Sequence, residues 1–433
     1  MIKIFRAVSI FFPVFICIIS ILVFYFHPSN KYIWVLGVSI NLIYLLKFWK
    51  VAPIFLIFLF FLLYPLEMYN FFVNGFYISY WSDFQDSYFL NKAVLLNSVF
   101  LVSLGSVIYN SKFLAFRRLD LLFRSEPAIF FVSLTLFFIC AHFGMSGDTI
   151  LTAGYGVSER EKSPLFEYSL VFLIVSLLFS GGGRKEVAVC YIATSYFIIK
   201  SLLYGGRIEV IQAVLALAYF QTRFFNHWSL KKLYISLFLG FLVILVAGRI
   251  RTNPMILIDI FSNPLVLFDF SHESKHRVVS SNYGDVLQAS ARMIGLVDSG
   301  VWDVSFRVKS FFSYLFNIFL FGTEMKEYSN ISLLDQNRYG AGGGGLISAQ
   351  YYVWLGWIGP VVAGSFLGFC IKIGSCVKAN NYAFVYMFAL LVTFPRWYAY
   401  SPISFTKFSL TVLLVYFMFK QLQRWVAKPV SIS

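Results

Sequence analysis

Long apolar runs separated by short polar stretches recur along almost the whole chain. They fall at 7–26, 32–46, 51–66, 91–109, 127–144, 165–180, 187–204, 208–221, 233–248, 346–371, 382–395 and 405–419. An apolar helix of about 20 residues crosses a bilayer, so this pattern predicts about 12 transmembrane helices. The second and eighth runs are short. One long segment of mixed polarity, 249–345, interrupts the series. The predicted organisation is spans 1–9 within 1–248, one large loop at 249–345, and spans 10–12 with a tail in 346–433.

The long segment has a pattern of its own. Phe311 to Phe321 is almost wholly apolar but too short to span, which predicts a re-entrant or interfacial helix. Asn253-Pro254 and Asn263-Pro264 are turn signals on either side of a further apolar stretch, Met255 to Phe261. The segment is therefore expected to fold back onto the membrane face and roof a cavity, with 67–90 and 145–164 adding to the roof. Lys3 and Arg6 precede the first run. No small-residue cleavage site ends it, so it reads as a retained span and not a removed signal.

Composition removes the main competitor. The chain is 59% hydrophobic and 13% charged, with 52 Phe and 27 Tyr. A water-soluble helical protein could not hide that much apolar surface. The net charge of +15 would point to nucleic acid in a soluble protein. Here no RNA-binding motif accompanies it, and no nucleic-acid partner is expected. With the N-terminus inside, eighteen of the 35 Lys and Arg fall in cytoplasmic segments, eight in short outer segments and nine in the long segment. Positive charge concentrates inside, so both termini are placed in the cytoplasm and the long segment outside.

The five cysteines, Cys17, Cys140, Cys190, Cys370 and Cys376, lack CxxC spacing and read as packing residues. His272-Glu273-Ser274-Lys275-His276 matches the H-E-x-x-H string of zinc proteases. No long helical pattern surrounds it, no third ligand is evident, and Arg277 follows at once. No metal or other cofactor is expected. His272 and His276 are instead candidate bases toward a sugar hydroxyl, together with Asp285 and Asp298.

The candidate binding chemistry is cationic and aromatic. Gly205-Gly206-Arg207 sits at the junction of two spans, and Ala247-Gly248-Arg249-Ile250-Arg251 at the entry to the long segment. Arginine's planar fork matches phosphate oxygens and stays charged at any relevant pH. A lipid diphosphate in the outer leaflet would suit Arg207, Arg249 and Arg251. The competing reading is arginines snorkelling to ordinary lipid headgroups. Arg160, Arg277, Arg292, Arg307 and Arg338 are the other outer arginines, for which solvated loop charge is the competing reading. Arg338-Tyr339 leads into a glycine run ending at Gly345, a backbone able to cradle an anion. No Lys-Ser/Thr follows, which excludes a nucleotide P-loop. Beyond it, Gln350 and Tyr352 lie in a Trp- and Tyr-rich stretch suited to sugar rings, or to the aromatic belt of a membrane interface.

The layout, with Gly205-Gly206-Arg207 opening a span, Arg249 starting a large outer loop, and Gly342 to Gly368 containing Tyr352, Gly356 and Gly359, resembles the O-antigen polymerase family. The resemblance covers nearly the whole chain. The arginine-to-glycine spacing of some members is absent: Gln288 and Asp303 stand eleven residues after Arg277 and Arg292. Gln350 stands where some relatives carry an acid. The resemblance implies a GT-C-like glycosyltransferase in the bacterial inner membrane. It would join undecaprenyl-diphosphate-linked oligosaccharide units at the periplasmic face, among membrane lipids and with a chain-length regulator as an accessory partner. Arg207, Arg249, Arg251, His272 and His276 would serve the reaction. Arg160, Arg277, Arg292, Arg338, Tyr339, Gln350 and Tyr352 would bind substrate. O-antigen ligase, and a flippase for lipid-linked oligosaccharide, remain open as alternatives.

Overall fold

A computed structural model describes residues 2–75, 77–79, 84, 86–109, 126–147, 149, 160–181, 183–204, 206–221, 229, 231–232, 234–235, 240, 262–263, 282–319, 326–339, 344–376 and 381–426. For 2–10, 160–162, 326–327, 376 and 425–426 the backbone alone is described.

The first eight apolar runs become helices α1 (Ile2–Phe26), α2 (Ile33–Phe48), α3 (Ala52–Phe72), α4 (Ser87–Ile108), α5 (Pro127–Phe143), α6 (Pro164–Phe179), α7 (Arg184–Leu203) and α8 (Arg207–Phe220). The ninth run, 233–248, lies almost wholly outside the described residues. The long segment contributes α9 (Asn282–Asp298), α10 (Val304–Phe319), α11 (Lys326–Ser329) and α12 (Ile331–Tyr339). Then come α13 (Ile347–Leu355), α14 (Ile358–Cys376), α15 (Tyr382–Val392), α16 (Phe394–Trp397) and α17 (Pro402–Val426). Helices α3, α4, α7, α14 and α17 are long and apolar enough to cross a membrane. Helices α2, α5, α6, α15 and the Phe11–Phe26 part of α1 are apolar but shorter. The protein is thus a helical, membrane-embedded chain.

One expectation is corrected. The tenth apolar run, 346–371, is not one helix. Gly356 has φ +61, which an L side chain rarely adopts, and it ends the buried nine-residue α13 before α14 starts in a new direction. Among the described residues, the otherwise helical chain has one small hairpin. Strand β1 (Met145–Gly147) pairs antiparallel with β2 (Arg160–Lys162), setting Gly147 opposite Arg160.

Contacts divide the chain into two compact units. The first comprises Met1–Ala115, Phe270–Cys376 and Arg396–Lys407. Its helix directions follow from its packing. Helix α2 runs parallel to α4: Gly37 lies against Val94, and Gly105 against Tyr44. Helix α3 runs against both, with Phe58 stacked on Tyr44 and Pro65 beside Gly37. Helix α14 runs parallel to α4 through Gly364 and Gly368. A β-carbon on Gly364 would strike the Phe100 carbonyl, and one on Gly368 would sit 2.8 Å from Val107 Cβ. Small residues four apart let two membrane helices touch along their backbones.

These directions bring the starts of α2, α4 and α14 and the ends of α1 and α3 to one end of the bundle. The long segment gathers there too. Asn91 donates to the Pro28 and Asn30 carbonyls between α1 and α2. Ser79, after α3, donates to Asp285 on α9. The amide of Ile347 bonds the Tyr398 carbonyl, just before α17.

The second unit comprises Phe116–Asp269, Val377–Pro395 and Phe408–Ser433. Helices α5 and α6 run antiparallel, joined by a Ser133–Ser176 hydroxyl pair at 2.9 Å. Phe197 of α7 stacks on Phe166 of α6, and Tyr416 of α17 on Phe179.

Candidate functional site

Helix α9 carries two ion pairs at the gathered end of the first unit. The first involves Lys92, in the second turn of α4. Asp86 caps that helix by accepting from the Phe89 amide at 3.0 Å, which fixes where the turn begins. Lys92 is only 5% exposed although it sits in an apolar helix. Its Nζ lies 2.5 Å from Asp298 Oδ2, at the last residue of α9. Tyr352 on α13 donates its hydroxyl to Asp298 Oδ1 at 2.7 Å. Three rings surround the ammonium, with centroids at 4.7 Å for Tyr352, 5.5 Å for Trp357 and 5.7 Å for Tyr88. A desolvated cation is stabilised by aromatic faces at such distances.

This cluster reaches the surface. The Asp298 side chain is 19% exposed, and Trp357, just past the Gly356 break, is 41% exposed. Arg307 of α10 adds a second cation nearby. Its Nε donates to the Val353 carbonyl at 2.6 Å, and its guanidinium lies beside Gly356. Cation, carboxylate and aromatic edges thus share one partly open corner.

The second pair is closed. Arg292 donates from Nε and Nη2 to the two oxygens of Asp335 on α12, at 2.9 and 2.8 Å, and from Nη1 to the Tyr339 carbonyl at 3.2 Å. The two side chains are 1% and 0% exposed. Burial pushes the Asp335 carboxyl up, and the Arg292 hydrogen bonds oppose the rise. Gln350 is equally enclosed and donates to Ser332 Oγ at 2.6 Å and to the Gly345 carbonyl at 2.5 Å. Arg292 and Gln350, two of the predicted substrate residues, thus make contacts that tie parts of the long segment to one another.

Arg249, Arg251, His272, His276 and Arg277 lie outside the described residues. Arg338 lies in the last turn of α12 with its guanidinium 6.0 Å from the Tyr328 ring centre, and Tyr339 ends the helix. Arg160 belongs to the hairpin strand β2 of the second unit. Arg207, also in the second unit, opens α8 at the first helical position. The positive end of that helix is not vacant. Glu209 is folded back so that its carboxylate would lie 2.8 Å from a β-carbon on Gly206. It supplies the negative charge that a helix N-terminus attracts. Asp285, a candidate base, accepts from Ser79 at 2.7 Å, and burial pushes its carboxyl above the ordinary range.

Sequence reasoning counted Lys92 only as an outer cation. The available signal was a lysine inside Ser87–Ile108, since an ionisable residue in an apolar span marks a functional position with a partner. Comparison with protein-family models, with curated proteins and with solved structures gives no match.

Proposed function

We propose that the chain is a polyprenyl-diphosphate-dependent glycan polymerase of the O-antigen type, acting at the end of the bundle where the long segment gathers. The observation that carries this reading is the partly open corner of Lys92, Asp298, Tyr88, Tyr352, Trp357 and Arg307, assembled by a membrane span and three helices beyond it. In the reaction an acceptor sugar hydroxyl attacks the anomeric carbon of the donor. The bond from that carbon to the diphosphate oxygen breaks, and the diphosphate leaves with the electron pair. The leaving group is already stable, so the chief requirement is charge stabilisation, for which cations fixed in advance are suited. Arg307 is a described candidate, with Arg249 and Arg251 as the sequence-based ones. Trp357 offers an exposed ring on which a sugar can stack. Asp298 holds Lys92 and Tyr352 in place, and His272 and His276 remain the candidates to take the hydroxyl proton.

Deleting the gene in the source organism and separating its lipopolysaccharide by size tests the reading. A collapse of the ladder to core capped by a single repeat unit is the expected result. Loss of all O antigen, with finished polymer accumulating on the lipid carrier, assigns ligation instead. Unchanged ladders remove both activities, and units trapped on the cytoplasmic face indicate a flippase.

A further inference from the structure

Helix α10 has its polarity inside out. Val304, Val308, Phe312, Phe316 and Phe319 recur at helical spacing and are 49–73% exposed. The opposite face, turned into the protein, is polar. Ser310 donates to the Tyr328 carbonyl at 2.7 Å and accepts from Trp354 Nε1 at 2.9 Å. The Tyr314 hydroxyl meets those of Tyr351 at 3.1 Å and Thr406 at 3.3 Å. Asn317 donates to Ser329 at 2.7 Å and accepts from Lys407 at 3.0 Å. A helix facing water shows the reverse arrangement.

We infer that α10 is immersed in the bilayer at the level of the first turns of α17, its outward stripe covered by lipid acyl chains. Three observations select lipid as the occupant. Every polar group named on the inner face has a protein partner, as a helix in hydrocarbon requires. The charges of α10, Arg307 and Lys309, are confined to its first turns, and the ten residues from Ser310 to Phe319 carry none. That gradient matches a helix entering from headgroups into acyl chains. Its inner face is also pinned to Thr406 and Lys407, within the opening turns of α17, a helix long and apolar enough to span. Helix α14 shows the same outward pattern at Ile358, Val362, Phe366, Phe369 and Ile373. At 16 residues, α10 spans about 24 Å, short of a crossing but ample for one leaflet. The inference holds whatever reaction the chain performs.

A nitroxide scan along 304–319 tests it, using the full chain with its native cysteines replaced, in vesicles of phosphatidylethanolamine and phosphatidylglycerol. Collision with oxygen, which partitions into lipid, is compared with collision with a water-soluble nickel chelate. Oxygen should exceed the chelate several-fold at 308, 312, 316 and 319, while 310, 313 and 317 stay low for both. Chelate maxima on the stripe would place it in water, and low values for both reagents would place it under protein; either overturns the inference. Phe312→Trp and Phe316→Trp give a second reading that needs no cysteine. Each should add quenchable emission in brominated-lipid vesicles beyond that of the nine native tryptophans, and absence of added quenching counts against lipid.

Discussion

Two ion pairs, six residues apart on α9, do opposite things with the same chemistry. Arg292–Asp335 is sealed, bidentate and tied to a backbone carbonyl. Lys92–Asp298 is single-pronged, lined by three aromatic rings, and has one edge open at Trp357. Both cations are buried. The difference is whether a third party can reach the pair. A sealed pair fixes geometry, because neither charge has an alternative partner. A pair with an open edge can exchange part of its interaction for a ligand. Charge in an apolar span is thus a pointer to function only once its accessibility is known.

The largest effect should come from breaking the sealed pair. Arg292→Ala leaves Asp335 buried without its partner, which costs about 3–5 kcal/mol. A fall in thermal midpoint in detergent checks it, and Arg292→Met combined with Asp335→Leu should recover most of the loss. If Arg292→Ala melts like the parent, the sealed pair is not structural. Lys92→Met should behave differently. Its methionine fills the aromatic cage, so the melt changes less than for Arg292→Ala, while ladder formation from lipid-linked units falls about 100-fold if Lys92 and Asp298 act on charge in the reaction. Equal losses of stability in the two variants would erase the distinction between the two pairs.

The smallest effect concerns Asp285, a carboxylate whose hydrogen-bonding side chain among the described residues is Ser79. Its carboxyl is raised by burial from the ordinary 3.8. The folded state then holds a proton that the unfolded state has released. The resulting stability is complete below the ordinary value and is lost as pH rises through the raised one. Asp285→Asn does not titrate. Its thermal midpoint relative to the parent should therefore climb with pH across that window and stay level above it. A flat difference from acid to neutral pH would mean that Asp285 is not desolvated in the folded protein.

The helices were legible where hydropathy alone decides them. Runs such as 127–144 and 165–180 reappear as α5 and α6 almost residue for residue. The break at Gly356 was hidden because apolar residues continue through it, and one backbone dihedral leaves no trace in hydropathy. The site was less legible. The sequence pointed at Gly205-Gly206-Arg207, but Gly183-Arg184-Lys185-Glu186 opens α7 as Gly206-Arg207-Ile208-Glu209 opens α8. In both, the third helical residue is a glutamate turned back on the capping glycine, where a β-carbon would meet it. In both helices the glutamate supplies negative charge at the positive helix end. Lys92, Asp298 and Tyr352 lie far apart in the chain, and tertiary packing of α9 and α13 on α4, with α14 alongside α4 through Gly364 and Gly368, brings them together.

The Arg292 link has a consequence for the continuity of the chain. It joins the middle of α9 to Asp335 and the Tyr339 carbonyl, closing a 47-residue span of sequence without a covalent bond. Asn317–Ser329 and Ser310–Tyr328 tie α10 to α11 inside that span. The peptide bonds between Phe319 and Lys326 are thus bridged on both sides by side chains. A protein cleaved there would remain one particle, its two fragments held by arginine and asparagine where the backbone no longer holds them.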